Sequence, residues 1–527
     1  MTLAKSTSHR ILEAQAHHQA GELDLAEALY REILGEDPDH ADAWHLYGLL
    51  AHQRGVSETA VQMMGRAISL CPTEAAYYVN LAEAQMGLGQ KEDAIASLHQ
   101  ALVLEPELAL AQVNLANVLY EACRYEEGLL VCRAALELDA DSAKAWNILG
   151  NLQEALGDHA KARDAYRVAI QRDPTSSRPW GNLAVSLERS ERLSEALEAC
   201  GRALELEPGN GDARLLRALL LLKSGNYEQG WAAYEDRWMS PIFLSSASPA
   251  RGFSQPLWTG QDLRGRRILM HAEQGFGDTL QFIRFAPLLA QRGAEVHVEC
   301  PSEMVRLFRS IPGLASVRAA GEPLPEVDFQ LPFLSAPNGF GTTLETVPSE
   351  VPYLTVPDAE LQAWRDRLAG KGPCVGLVWA GRPDPSEYRS RRAMALGELE
   401  PLFQVEGLTW VSLQRGAGSE QIETSGLPLL DFTSQVRDFA DQAALISALD
   451  LVITIDTATA HLAGALGKPA WVFLPKPAAY QWMLHREDSP WYPTLRLFRQ
   501  DEEGVWEPIV ARVLEALKVW AVRLGSS

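Results

Sequence analysis

Five prolines, Pro38, Pro72, Pro106, Pro174 and Pro208, stand at steps of 34, 34, 68 and 34 residues, with Ala140 in the empty slot. Other columns keep the same period. Turn glycines fall at Gly21, Gly55, Gly89, Gly157 and Gly225. Small residues fall at Ala26, Ala60, Ala94, Gly128, Ala162, Ala196 and Gly230, and again at Gly48, Ala82, Ala116, Gly150, Ala184 and Ala218. Each column has a physical reason. Small residues let two helices approach closely, glycine turns the chain between them, and proline opens the next unit once a helix has ended. Bulky Trp44, Tyr78, Trp146 and Trp180 are expected to fill the space between helices. One such hairpin cannot bury its own apolar face, so the first half of the chain must stack.

These columns resemble the tetratricopeptide family over residues 5–239, with six clear units and a partial seventh from Gly225 to Trp238. One polar column bears on function. Asn80, Asn114 and Asn182 share a position on the first helix of their units, and Asn117 and Asn151 lie three residues further along nearly the same face. An amide both donates and accepts, so a row of them suits an extended peptide backbone, read without regard to its sequence. The alternative is plain decoration of a repeat surface, and Ile148 interrupts the row.

A chain of 527 residues is too long for one core. Its net charge of −22, with no basic stripe, argues against nucleic acid as the main partner. No apolar run of about 18 residues suggests a membrane span. The first residues enter a helical pattern without an apolar signal core. The six cysteines are scattered and form no CxxC pair, as expected of reduced thiols in a cytoplasmic protein.

Residues 240–262 are rich in Ser, Pro, Ala and Gly and read as a connector. Beyond them, short apolar runs alternate with helical stretches, the pattern of a mostly parallel α/β sheet. Strands are expected at Arg267–His271, Glu295–Glu299, Asp328–Leu331, Cys374–Trp379, Thr409–Leu413, Leu451–Ile455 and Ala470–Leu474. One amphipathic helix is expected from the first strand to about Ala290, and a closing helix over Trp506–Val522. The proline- and glycine-rich stretch 332–357 divides this half in two. The expected organisation is a helical repeat superhelix over 1–239, the connector 240–262, and two Rossmann-like α/β halves, 263–357 and 358–527. Ligands of such halves bind at the carboxyl ends of strands.

Three places there carry chemistry. Gly275, Gly277 and Asp278 join the first strand to a helix, where glycines admit a ligand close to the backbone. Asp278 either caps that helix or acts as a general base. Asp456, Thr457, Thr459 and His461 open a helix whose first turn could hold a phosphate, or they form a plain capped helix. Arg382, Arg389, Arg391, Arg392 and Lys468, with Trp379 and Gln414 ending strands nearby, offer bidentate phosphate contacts or a solvated basic loop.

The segments His271-Ala-Glu-Gln-Gly-Phe-Gly-Asp-Thr-Leu-Gln-Phe, Val375-Gly-Leu-Val-Trp-Ala-Gly and Asp456-Thr-Ala-Thr-Ala-His-Leu-Ala-Gly-Ala-Leu-Gly-Lys-Pro resemble those of GT-B glycosyltransferases, most of all the heptosyltransferase-like branch. The resemblance implies a base at Asp278, and a donor's phosphates near Thr457, Thr459 and, more loosely, His461. The nucleotide sugar is then a substrate, with no separate cofactor. Fusion to repeats is similar to the O-linked N-acetylglucosamine transferases and, more closely in domain order, to bacterial flagellin glycosyltransferases, which makes flagellin a candidate partner by analogy. The donor-site motifs of the former group have no clear match here. Asp37-Pro-Asp39 and Asp139-Ala-Asp141 fall in repeat turns, and no His/Cys cluster has zinc spacing, so no metal is expected. Two other readings compete with the expected inverting protein O-glycosyltransferase. One is a scaffold with an inactive α/β half, and the other is a transferase acting on lipopolysaccharide or another glycan.

Overall fold

Fourteen helices, from Thr7–Gln19 to Tyr227–Tyr234, follow the 34-residue period as seven pairs in the computed structural model, which describes residues 7–246, 252–381 and 392–525. The seventh pair is complete, but its second helix has only 8 residues and runs into a tighter turn, Glu235–Met239. Packing divides the chain into Met1–Leu187 and Glu188–Ser527, so the second unit begins inside the repeat array. Among the described residues no helix is long and apolar enough to cross a membrane.

In the first unit the small columns lie where helices touch. Ala60, Ala94, Ala116 and Ala162 are fully buried. At Gly150 an added Cβ would come within 2.4 Å of the Tyr166 ring, so only glycine admits that tyrosine. The turn glycines of this unit all have positive φ, from 73° at Gly89 to 82° at Gly157. The column's one gap here is Cys123, which holds φ 59° without glycine's freedom. The bulky column does more than fill space. Trp44 Nε1 donates to the Pro38 carbonyl at 2.8 Å, Tyr78 Oη to Pro72 at 3.2 Å and Trp146 Nε1 to Ala140 at 2.8 Å. Each ties its helix to the turn that precedes it.

The second unit holds the last repeat helices and two sheets whose strand pairs are all parallel. The first sheet has the order β3-β2-β1-β4, with β1 Arg267–His271, β2 Glu295–Cys300, β3 Leu314–Ala319 and β4 Phe329–Pro332. The second contains β5 Cys374–Val378, β6 Thr409–Ser412, β7 Leu429–Asp431, β8 Leu451–Ile455, β9 Ala470–Leu474 and β10 Leu495–Arg499. Its order is β10-β9-β8-β5-β6-β7. Strands β5, β8 and β9 are buried along their whole length, as central parallel strands must be. Strand order reverses between β1 and β4 and between β5 and β8, which opens a crevice at each sheet's carboxyl edge.

Two expectations change. The single helix after β1 is broken into Phe276–Phe282 and Phe285–Gln291. Pro287 has no N–H for the Ile283 carbonyl, which instead accepts from Ala286 at 2.9 Å. The expected connector is partly structured too. Pro241–Ser246 is helical, and Trp258 is fully buried, its backbone N–H donating to Gln330 in β4 at 3.0 Å.

The last repeat helix packs into the core of the α/β half. Trp231 is 1% exposed and meets Phe282, Tyr480 and Trp491 edge-on at 5.8, 5.9 and 6.2 Å. Trp491 Nε1 donates to Tyr227 Oη at 3.0 Å. Beyond the helix, fully buried Arg237 donates to both Glu273 carboxylate oxygens at 3.0 Å and to Ser335 Oγ at 2.7 Å. The turn after the repeats is thereby clamped to the loop that follows β1.

Candidate functional site

The loops at the carboxyl ends of β1 and β8 meet at one cavity of about 470 Å³, lined by Gly275, Gly277 and Asp278 from the first sheet and by Asp456, Thr457 and His461 from the second. The close approach depends on Gly277. A Cβ there would lie 2.9 Å from His461 Cδ2, so any larger residue would push the two loops apart. Asp278 sits half-buried in the first turn of its helix.

Asp456 is almost fully buried and pairs with Arg392, Oδ2 to Nη1 at 3.4 Å, and both line the cavity. Thr457 holds the N-cap position of helix Ala458–Ala465 without making a capping bond, so its side chain does not occupy the first-turn N–H groups. Its hydroxyl lies 3.2 Å from Thr454 Oγ1. His461 stacks on Trp482 with ring centroids 5.3 Å apart, and its Nδ1 is 3.0 Å from Tyr492 Oη. Burial pushes the imidazole down to about 4, against the opposing pull of Asp456. At neutral pH the ring is therefore uncharged, a packed element of the wall rather than a phosphate-binding cation.

The other candidates stand elsewhere. The Gln414 amide is used up as a brace. Its Oε1 accepts from the Trp379 and Ala380 N–H groups at 3.1 and 3.0 Å, and its Nε2 donates to the Ala380 and Ala417 carbonyls. Trp379 is fully buried at the end of β5. The Thr459 hydroxyl is buried and takes a bond from Gln442 Nε2 at 3.2 Å. Lys468 donates to the Ser447 carbonyl at 3.2 Å, and burial lowers its pKa. None of these four lines the cavity. Arg382, Arg389 and Arg391 lie outside the described residues.

Sequence reasoning missed the contribution of the repeats. Leu216, Leu219, Lys223 and Tyr234 line the same cavity, with Tyr480 from the loop after β9. Lys223 is 3% exposed and pairs with Glu188. Its only signal in sequence is a lysine closing the run Leu219–Leu222. Among the described residues no group of three His, Cys, Asp or Glu side chains is placed to hold a metal ion. A larger groove of about 950 Å³ runs beside β10 and the closing helix Glu507–Gly525, and none of the motif residues reaches it.

The asparagine column in the first unit bridges neighbouring repeats. Asn80 Nδ2 lies 2.8 Å from His45 Nε2, and Asn114 Nδ2 donates to Glu83 at 3.1 Å while its Oδ1 accepts from Lys144 at 2.7 Å. Asn182 Nδ2 donates to Asn147 and Asn151 at 2.9 and 3.0 Å, and Asn151 also accepts from Tyr166. Asn117 is half-buried on the same row.

Comparison with known proteins agrees with the helical half. Two families described as tetratricopeptide repeat match, one at residues 11–75, 79–143 and 133–177 and the other at 187–234. Protein FlbA of Caulobacter vibrioides is 31% identical over 377 residues, a stretch covering 62% of this chain. The matched stretch spans 59% of the length of that relative. Among solved structures, a tetratricopeptide repeat protein from Parabacteroides merdae is 15% identical, with a TM-score of 0.39 over 45% of this chain and 93% of its own. The Cut9–Hcn1 hetero-tetramer of the APC/C is 16% identical, with a TM-score of 0.40 over 44% of this chain and 46% of its own. The helical half of the chain is an array of tetratricopeptide repeats, a type of module that generally mediates protein interactions.

Proposed function

We propose that this chain is a protein O-glycosyltransferase of the GT-B type, in which residues 1–239 recruit a protein acceptor and 263–527 carry out the transfer. The observation that carries the reading is the shared cavity. Asp278, at the end of β1, and Thr457, at the end of β8, come from different parallel sheets and line one space. That arrangement suits a donor on one loop and an attacking hydroxyl on the other.

In this mechanism Asp278 accepts the proton of a Ser or Thr hydroxyl as its oxygen attacks the anomeric carbon of the sugar. The configuration at that carbon inverts, and the bond to the nucleotide diphosphate breaks. The first-turn N–H groups after Thr457 and the Arg392 guanidinium offset the charge growing on the departing phosphate. No metal is required by this scheme. Resemblance in domain order makes flagellin the first acceptor to test.

The test is a panel of nucleoside diphosphates titrated calorimetrically into wild type and Thr457→Val. It is followed by labelled nucleotide sugars with flagellin or total cell protein as acceptor. Binding of one nucleotide and label on protein support the reading. Label on lipopolysaccharide moves the acceptor class to a glycan, and no nucleotide binding at all overturns the reading.

A further inference from the structure

Gln481 stands between two anchored rings in the short turn Tyr480–Trp482. The Tyr480 ring packs against Trp231 at 5.9 Å and Tyr234 at 6.1 Å. Trp482 is fully buried and stacks on His461 at 5.3 Å. The turn is thereby fixed on both sides. Gln481 itself is 8% exposed and lines the cavity. Among the described residues its amide has no hydrogen-bond partner, and neither amide atom is sealed inside the protein, in contrast to the Tyr480 hydroxyl. A polar group more than nine-tenths buried without a partner destabilises a fold, so one that stays open to a cavity points to a partner that arrives from outside.

The place of the turn narrows what that partner is. On one side lies Asp278. Burial does most to raise the Tyr480 pKa well above its ordinary value, and the Asp278 carboxylate adds to it, so the two are within electrostatic reach. On the other side, His461 belongs to the helix that Thr457 opens. Gln481 therefore lies between the base and the phosphate site of the proposed reaction, where the sugar of a donor has to sit. Its amide is uncharged, with an acceptor at Oε1 and two donors at Nε2. A phosphate calls for a cation or backbone N–H groups, whereas two adjacent sugar hydroxyls present a donor and an acceptor side by side. We propose that Gln481 holds the donor's sugar through two adjacent hydroxyls, Oε1 accepting from one and Nε2 donating to the other. This deepens the transferase reading and rests on it.

Calorimetry on the full-length protein tests this with UDP, GDP, ADP and dTDP, and with UDP-glucose, GDP-mannose, ADP-glucose and dTDP-glucose. The variant is Gln481→Met, which keeps the length of the side chain and removes the amide. For the nucleotide that binds, wild type is expected to hold the sugar conjugate more tightly than the bare diphosphate. Gln481→Met should lose about tenfold in affinity for the conjugate and nothing for the diphosphate. One monodeoxy analogue of the sugar should bind wild type about three- to tenfold more weakly than its parent, yet bind Gln481→Met as well as the parent does, because the missing hydroxyl has already lost its partner there. The thermal midpoint of the unliganded variant should be unchanged or higher, since an unpaired buried amide gives way to an apolar group. Three results overturn the proposal. A lower midpoint would give the amide a structural partner. Equal losses for diphosphate and conjugate would put it on the nucleotide. Wild-type affinity for the conjugate would leave it to water. No binding of any nucleotide by wild type would sink the transferase reading and this proposal with it, whereas nucleotide binding with an unaltered conjugate affinity in Gln481→Met would sink only this one.

Discussion

Asp278, His461 and Gly277 each do a different job at the cavity, and single substitutions separate them. Asp278→Asn keeps the shape of the side chain but cannot take a proton. Transfer is expected to fall by about 10²–10⁴-fold with nucleotide affinity unchanged. Activity within about threefold of wild type would remove Asp278 from the base role. His461 makes a prediction about pH. Its folded pKa, about 4, lies below the ordinary value because the ring is buried. Between about pH 6.5 and the folded value, the unfolded chain binds a proton that the folded chain refuses. The second unit should therefore lose stability as pH falls through that window, by about 2 kcal/mol between pH 7 and pH 5 from this group alone. Urea unfolding at both pH values measures the slope, and His461→Gln should flatten it. Gly277→Ala should shift His461 and impair nucleotide binding while the chain still folds, because the added methyl meets the ring edge at 2.9 Å.

At the scale of the element, the turns of the repeats hold the clearest stored cost. Cys123 and Glu191 occupy the two slots of the turn column that lack glycine, and both adopt positive φ, 59° and 58°. A side chain there is strained, so Cys123→Gly should stabilise the first unit by about 0.5–1 kcal/mol, seen as a raised thermal midpoint. An unchanged or lower midpoint would mean that the local backbone carries no penalty. The asparagine row asks a similar question of its own helices. Asn114 has both ends of its amide engaged by Glu83 and Lys144. Replacing Asn80, Asn114 and Asn182 by Ala should therefore lower the stability of the array as well as acceptor capture, by roughly 1 kcal/mol per lost bond. Capture that weakens with no change in melting would favour direct contact with the peptide. The Thr457 helix divides in the same way. Thr457→Val should weaken nucleotide binding, whereas Thr459→Val should only destabilise, since that hydroxyl is tied to Gln442.

For the whole molecule, the informative cut lies at 187, inside the repeats. The repeat period alone favours a fragment ending at 239. Such a fragment, however, would leave Tyr227 and Trp231 without Phe282 and Trp491, which cover them in the full chain. Residues 1–187 should fold as a monomer with a cooperative melt, whereas 1–239 should self-associate through the uncovered aromatic face. Light scattering on both fragments decides it, and a monomeric, stable 1–239 would show that this packing is dispensable. The clamp at Arg237 can be tested in the intact chain. Arg237→Met leaves the Glu273 carboxylate buried without its ion pair, which typically costs about 3–5 kcal/mol.

The sequence by itself determined the repeats, because a period of 34 residues is written into every unit and needs no distant partner to be read. It also determined the central strands β5, β8 and β9, apolar runs because both faces are covered, and β1 and β2, whose apolar residues are fewer. It did not reveal β3, β7 and β10. Each is an edge strand whose exposed residues break the apolar run. The glycine and threonine loops at the strand ends were legible as places where a ligand could sit. Tertiary structure alone decided which of them share a cavity and that Gln414 is a brace. It also decided that Tyr234, Tyr480 and Lys223 stand among them, since Tyr480 lies far along the chain from the other two and none of the three carries a local pattern. Their meeting depends on Trp231 and Arg237 being buried against the α/β half, a packing event between elements that no local period encodes.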